Sequence, residues 1–145
     1  MIYILSLIVM GCVYGLINFY RHQFSLQGFR MMMFWFSCIP MRLLMTYYAY
    51  DKPTSYIIPI VASMISIGFI YQYITQQQKI ERGERLSRGF AGGKVYWHEM
   101  RVIHALMYGL VALNSVFGNP SDSWKILMAD VLMGGSRNLL NYYVD

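Results

Sequence analysis

Five long apolar stretches constrain this chain more than any other feature: residues 2–20, 31–50, 56–74, 95–117 and 124–143. Each has roughly the 20 residues that a helix needs to cross the hydrocarbon core of a bilayer. The first and third hold no charged residue. Over the whole chain 13% of residues are charged and 57% are apolar, whereas about 25% are charged in an average soluble domain. A strict apolar/polar alternation, the mark of a membrane β-barrel, is absent. A soluble bundle of Met-rich helices is the competing reading, and the two charge-free stretches argue against it. The expectation is an all-α integral membrane bundle, a single domain with five transmembrane helices. Four spans follow instead if 31–50, interrupted by Pro40 and Arg42, is re-entrant. The first stretch has no basic start and no small-x-small cleavage site, so it reads as a span that stays in place. Cys12 and Cys38 fall inside spans and read as small apolar residues.

The loops divide by charge. Arg21 and Arg30 lie between the first two stretches, and Lys79, Arg82, Arg85, Arg88 and Lys94 lie in the loop 75–94. The opposite loops offer Lys52 and, at an edge, Lys125. By the positive-inside rule the N-terminus is outside and the C-terminus is on the cytoplasm-equivalent side, together with the loop 75–94. The first part of that loop is helix-compatible, so the third helix is expected to run on to about Leu86, with Gly89, Gly92 and Gly93 breaking it. The five basic residues of this loop form a surface for lipid headgroups, worth about 1 kcal/mol per Lys or Arg, or for a protein partner. Glu81 and Glu84 dilute the charge and no aromatics are interleaved, which argues against specific nucleic-acid binding.

Polar residues inside the spans fall into stripes. At about 100° per residue, Trp97, Arg101, His104, Tyr108 and Ser115 share one face, while His98 and Glu99 point elsewhere. Ser123, Asp130, Gly134, Arg137 and Asn141 form a second stripe, and Cys38, Arg42 and Thr46 align at i, i+4 and i+8. A charge facing lipid near mid-membrane costs a few kcal/mol, so these stripes should face inward. Counting 1.5 Å per residue from the inner edge puts Arg42 roughly 16 Å deep and Asp130 roughly 18 Å deep. They match in depth and oppose in sign, so they are expected to pair, with Tyr108 in the same cluster. His104, Arg101 and Arg137 belong to the same expected buried polar cluster; His104 comes out at roughly 12 Å, and Arg101 and Arg137 at roughly 8 Å, a depth from which they can instead snorkel to headgroups. On the first helix Gly11 and Gly15 form a small-xxx-small pair that permits close helix packing, within the chain or between copies in a homo-oligomer.

Catalytic and cofactor chemistry finds little support. In "HEMRVIH" the histidines are six apart, about 240° around a helix, so His98 and His104 cannot share one metal. Haem ligation would have His22, His98 and His104 alone to draw on, and the lysines sit in loops or at span ends, where a retinal Schiff base is not made. No enzymatic activity and no cofactor are expected. Two functions remain: a structural or tethering component of a larger protein assembly in a membrane, or a proton or ion path along Arg101, His104 and Tyr108 with Asp130 nearby.

The residues Gly92, Gly93, Trp97, Arg101, His104 and Tyr108 resemble a motif in small multispan membrane proteins of large DNA viruses. There a glycine pair and aromatic residues precede an Arg-x-x-His-x-x-x-Tyr helix. The likeness spans about twenty of the 145 residues. It implies residence in a virion's internal membrane or assembly membrane, as a minor capsid-associated component tethering the bilayer to a protein shell. It carries over no catalytic residue.

Overall fold

The structure, a computed structural model, describes residues 2–23, 25–83, 98 and 100–143, all helix, turn or short connection with no strand among them. Helix α1 spans Ile2–Phe19 and gives way to a 3-10 turn at Arg21–Gln23. Helix α2 (Leu26–Met33) runs through a π-helical turn at Phe34–Cys38 into α3 (Ile39–Asp51). Helix α4 spans Ile57–Glu81 and α5 spans Met100–Phe117. A 3-10 turn at Pro120–Asp122 then leads into α6, Ser123–Tyr143. With α2, the π turn and α3 taken as one rod, the described residues form five helices.

The π turn has a local cause. Pro40 has no N–H to donate, and its ring presses on the carbonyl four residues back. Widening the preceding turn accommodates both, and the Ile39 N–H bonds five residues back to the Phe34 carbonyl. The stretch 31–50 is therefore an unbroken rod that starts earlier than the apolar pattern, at Leu26. Helix α4 stops before the expected Leu86. Gly83, with φ +66°, takes the left-handed conformation that ends a helix at the residue after its cap, and its N–H bonds the Ile80 carbonyl at 3.0 Å. Gly89, Gly92 and Gly93 lie outside the described residues.

Helices α4 and α5 run antiparallel and share the largest interface in the molecule; α6 packs on both α5 and α3, and α1 rests mainly on the α2–α3 rod. Small side chains set the α4–α5 spacing. Ala62, Ser66, Ala105 and Ala112 are buried there, Ser66 Oγ donates to the Ala105 carbonyl at 2.7 Å, and a Cβ on Gly109 would stand 3.4 Å from that same Oγ. Backbones approach this closely where side chains are small. The main core adds Ala49, Ile58, Tyr108, Val111 and Leu127. A second, smaller core seats Ile17 of α1 on Phe29 and Met33.

The α5–α6 turn is held by side chains. Asn114 Nδ2 donates to the Asn119 carbonyl at 2.7 Å, and the fully buried Ser123 Oγ meets Asn114 Nδ2 at 3.1 Å and Ser115 Oγ at 2.9 Å. The Lys125 ammonium, 2.6 Å from Asp122, holds that carboxyl below its ordinary value.

By length and mean hydropathy two of these helices qualify as candidate membrane spans, α4 at 1.8 and α5 at 1.4, and the apolar part of α1, Tyr3–Phe19, is shorter. Helix α6 is long enough but carries Lys125, Asp130 and Arg137, which lower its hydropathy, and α3 is divided from α2 by the π turn. Among the described residues, two helices long and apolar enough to span stand where five apolar stretches were read.

Because Ala62 is fully buried against α5 while Met64 is 68% exposed, Ala62→Leu should lower the melting temperature of the purified protein, at a cost of about 1–3 kcal/mol of overpacking. Met64→Leu should leave the melting temperature unchanged.

Candidate functional site

Three helices deliver charge to one buried point. Asp130, on α6, is 1% exposed. Its Oδ2 accepts from Arg42 Nη1 of α3 at 2.8 Å, and its Oδ1 is in close contact with Nδ1 of His104 on α5. Since an ionised carboxylate only accepts, the proton of this contact belongs on His104 Nδ1. Arg42 Nη1 lies 3.4 Å from that same Nδ1, so the imidazole and the guanidinium converge on one carboxylate.

The surroundings keep the cluster in place. Thr46 Oγ1 donates to the Arg42 carbonyl at 2.8 Å, one turn along α3. Phe69 of α4 lies beside His104, ring centroids 5.5 Å apart, and beside Tyr108 at 6.2 Å. Tyr108 is itself buried near Asp130. Gly134, one turn beyond Asp130, makes room: a Cβ there would stand 3.1 Å from Arg42 Nη1 and 3.5 Å from His104 Cε1. A larger side chain would push the guanidinium from the carboxylate.

The stripes read from the sequence meet this site unevenly. The structure brings together Arg42, Asp130, His104 and Tyr108. Arg101 is buried one turn away along α5, its Nη1 reaching the Gln72 carbonyl at 3.4 Å. Arg137 does not belong to the cluster. It is exposed, because the buried arc of α6 runs through Leu127, Asp130, Val131, Gly134, Gly135 and Asn138, and Arg137 falls just past its edge, about 100° from Asn138. Cys38, aligned with Arg42 in the sequence, is exposed as well. Gly11 and Gly15 are exposed, and a Cβ at either would meet nothing within 4 Å, so no described helix approaches them closely.

His98 turns towards α4, stacked on Tyr73 at 4.8 Å with Nε2 3.2 Å from Gln77 Oε1. Of the basic surface, Lys79 and Arg82 lie at the end of α4, while Arg85, Arg88 and Lys94 fall outside the described residues, as do Gly92, Gly93, Trp97 and Glu99. The polar face of α4 went unread in the sequence: Ser66, Tyr73 and Gln76 recur at i, i+7 and i+10 with Ala62 one turn earlier, a helical stripe hidden among apolar neighbours. Among the described residues no group of three or more His, Cys, Asp or Glu is placed to hold a metal ion.

Compared with known proteins, the chain matches no family model, no curated protein and no solved structure.

The chemistry of the cluster is that of a cross-link. Removing one partner of a buried ion pair costs about 3–5 kcal/mol because the other charge is left uncompensated, whereas replacing both by apolar side chains is often neutral. Asp130→Ala should therefore sharply reduce accumulation and melting temperature. Arg42→Met combined with Asp130→Leu should restore part of both, the remaining deficit being that of His104 without its acceptor. Arg137→Gln should behave as wild type in the same measurements. A double variant no better than Asp130→Ala would count against the pair.

Proposed function

We propose that this chain is a multispan integral membrane protein with a structural or tethering role, its helices locked by the Arg42–Asp130–His104 cluster. The observation that carries this reading is the inversion of polarity between inside and outside. The buried positions include Arg101, His104, Asp130, Ser66 and Thr46. The exposed ones include Ile57, Ile60, Met64, Ile67, Tyr71 and Ile74, one continuous stripe along α4, and Ile103, Leu106, Leu110, Leu113 and Phe117 along α5. A soluble bundle does not turn such stripes to water. A lipid-embedded bundle does, keeping its ionisable groups paired inside.

The two ends of the bundle support an orientation. Tyr3, Tyr47, Tyr48, Tyr50 and Trp124 gather at one end, with Tyr3 Oη donating to Asp51 at 2.6 Å and Tyr50 against Trp124 at 5.6 Å. Arg21, Lys79 and Arg82 lie at the helix ends opposite. Aromatic residues favour the interface and basic ones the cytoplasmic side, so the N-terminus faces outward and the loop 75–94 inward, available to a protein layer or to headgroups. A virion internal membrane is the setting that the viral resemblance implies, and it enters the proposal on that resemblance alone.

The second reading, an ion or proton path, fits the geometry less well. A path needs ionisable groups strung along the helix axes, whereas Arg42, His104 and Asp130 come from three helices to a single level and engage one another.

Two measurements test the reading. Extraction of expressing membranes with alkaline carbonate should leave the protein in the pellet; release to the supernatant would sink the membrane assignment. In liposomes loaded with a pH-sensitive dye, under an imposed proton gradient, wild type, His104→Ala and Asp130→Asn should all leave the membrane tight. Flux in wild type that is lost in either folded variant would replace the structural role with conduction.

A further inference from the structure

Among the described residues, the cluster leaves the buried Arg101 without a carboxylate. Arg101 is 6% exposed. Its Nη1 is turned to the Gln72 carbonyl at 3.4 Å, and its buried Nε meets no acceptor among the described residues. The described carboxylates are occupied or remote: Asp130 by Arg42 and His104, Asp51 by Tyr3, Asp122 by Lys125, with Glu81 exposed at the end of α4. A guanidinium does not shed its proton, so it cannot escape the cost of burial by becoming neutral. It needs a counter-charge, and the edge that carries its unpartnered Nε is one that can hold an oxyanion through two parallel N–H bonds.

The neighbourhood says which oxyanion. Arg101 stands at the basic end of the α4–α5 pair, against the Gln72 carbonyl and bonded through its backbone N–H to the carbonyl of His98, which stacks on Tyr73, with Lys79 and Arg82 farther out on α4. Beside it the outward faces are apolar, with Val102, Ile103 and Leu106 on α5 and Ile70 and Ile74 on α4 exposed. Positive charge at the level of the headgroups, directly above an apolar flank, fits a molecule that is anionic at its head and hydrocarbon below. We propose that Arg101 holds the phosphate of an anionic phospholipid in the leaflet at the basic end. This inference rests on the membrane reading.

The test uses the full chain in nanodiscs of phosphatidylcholine doped with phosphatidic acid, with the lipid retained after detergent release counted by native mass spectrometry. Wild type should retain phosphatidic acid preferentially. Arg101→Gln should reduce that preference about tenfold, the factor expected for loss of a charge-assisted fork. Arg101→Lys, which keeps the charge without the fork, should fall between them, and Arg137→Gln should match wild type. Equal retention by wild type and Arg101→Gln overturns the proposal. Should Arg101→Gln fail to enter discs, Arg101→Lys carries the comparison, and a preference equal to wild type overturns it. Phosphorus NMR of inorganic phosphate in discs of neutral lipid separates the two sources of the anion: Arg101-dependent broadening there would reassign the site to a soluble ion. A chain that enters no disc refutes the membrane reading; one that enters discs without preferring phosphatidic acid refutes this inference.

Discussion

Asp130 is the point through which three helices hold one another. Its two carboxylate oxygens are divided between a guanidinium from α3 and an imidazole from α5, so the position of α6 is fixed against both neighbours at once. In a low-dielectric interior such a carboxylate has no tolerable alternative. Any rearrangement that separates it from either partner exposes an unpaired polar group to an apolar environment. That penalty, more than the attraction itself, defines which packing of the helices is allowed. The apolar residues around it are interchangeable to a degree that the charged ones are not.

The remaining contacts divide the work. Helices α4 and α5 come together through small residues, a mode that depends on dispersion and close backbone approach and on few hydrogen bonds beyond Ser66 to Ala105. The α5–α6 turn is a different kind of joint: asparagine and serine side chains occupy its backbone groups and set the direction in which α6 leaves. Helix α1 is the least integrated element. It is held by the buried Ile17 cluster near one end and by the exposed Tyr3 contacts with Tyr48 and Asp51 at the other, with an apolar groove between Val9 and Met10 on one side and Pro40, Leu43 and Leu44 on the other.

Much of the helical architecture was legible because block length and periodicity report on it directly. The Arg42–Asp130 pairing could be read because sign and depth agreed. Counting residues from an edge, however, treats every helix as upright and level with the rest. It therefore put His104 well short of Asp130, when the offset of α5 against α6 brings them into contact. The helical stripe carried Arg137 into the cluster, since the polar stripe and the buried arc of α6 are centred on slightly different lines. The inward face of α4 escaped notice because serine, tyrosine and glutamine do not stand out as charges do. Apolar length marks five stretches, whereas two described helices are long and apolar enough to span: the π turn divides α3 from α2, and Lys125, Asp130 and Arg137 lower the hydropathy of α6.

The π turn at Phe34–Cys38 has a consequence beyond accommodating Pro40. One residue more per turn than an α-helix rotates everything after it by roughly a quarter of a turn. Phe29 and Met33, before the turn, face α1, while Ile39, Arg42, Thr46 and Ala49, after it, are turned inward towards the cluster and the main core. A single rod thus serves two partners on different sides. Loss of one residue from this turn would relax it to ordinary helix, leave Arg42, His104 and Asp130 in the chain, and still swing Arg42 away from Asp130. The length of this short segment is as much a determinant of the fold as the charges it aligns.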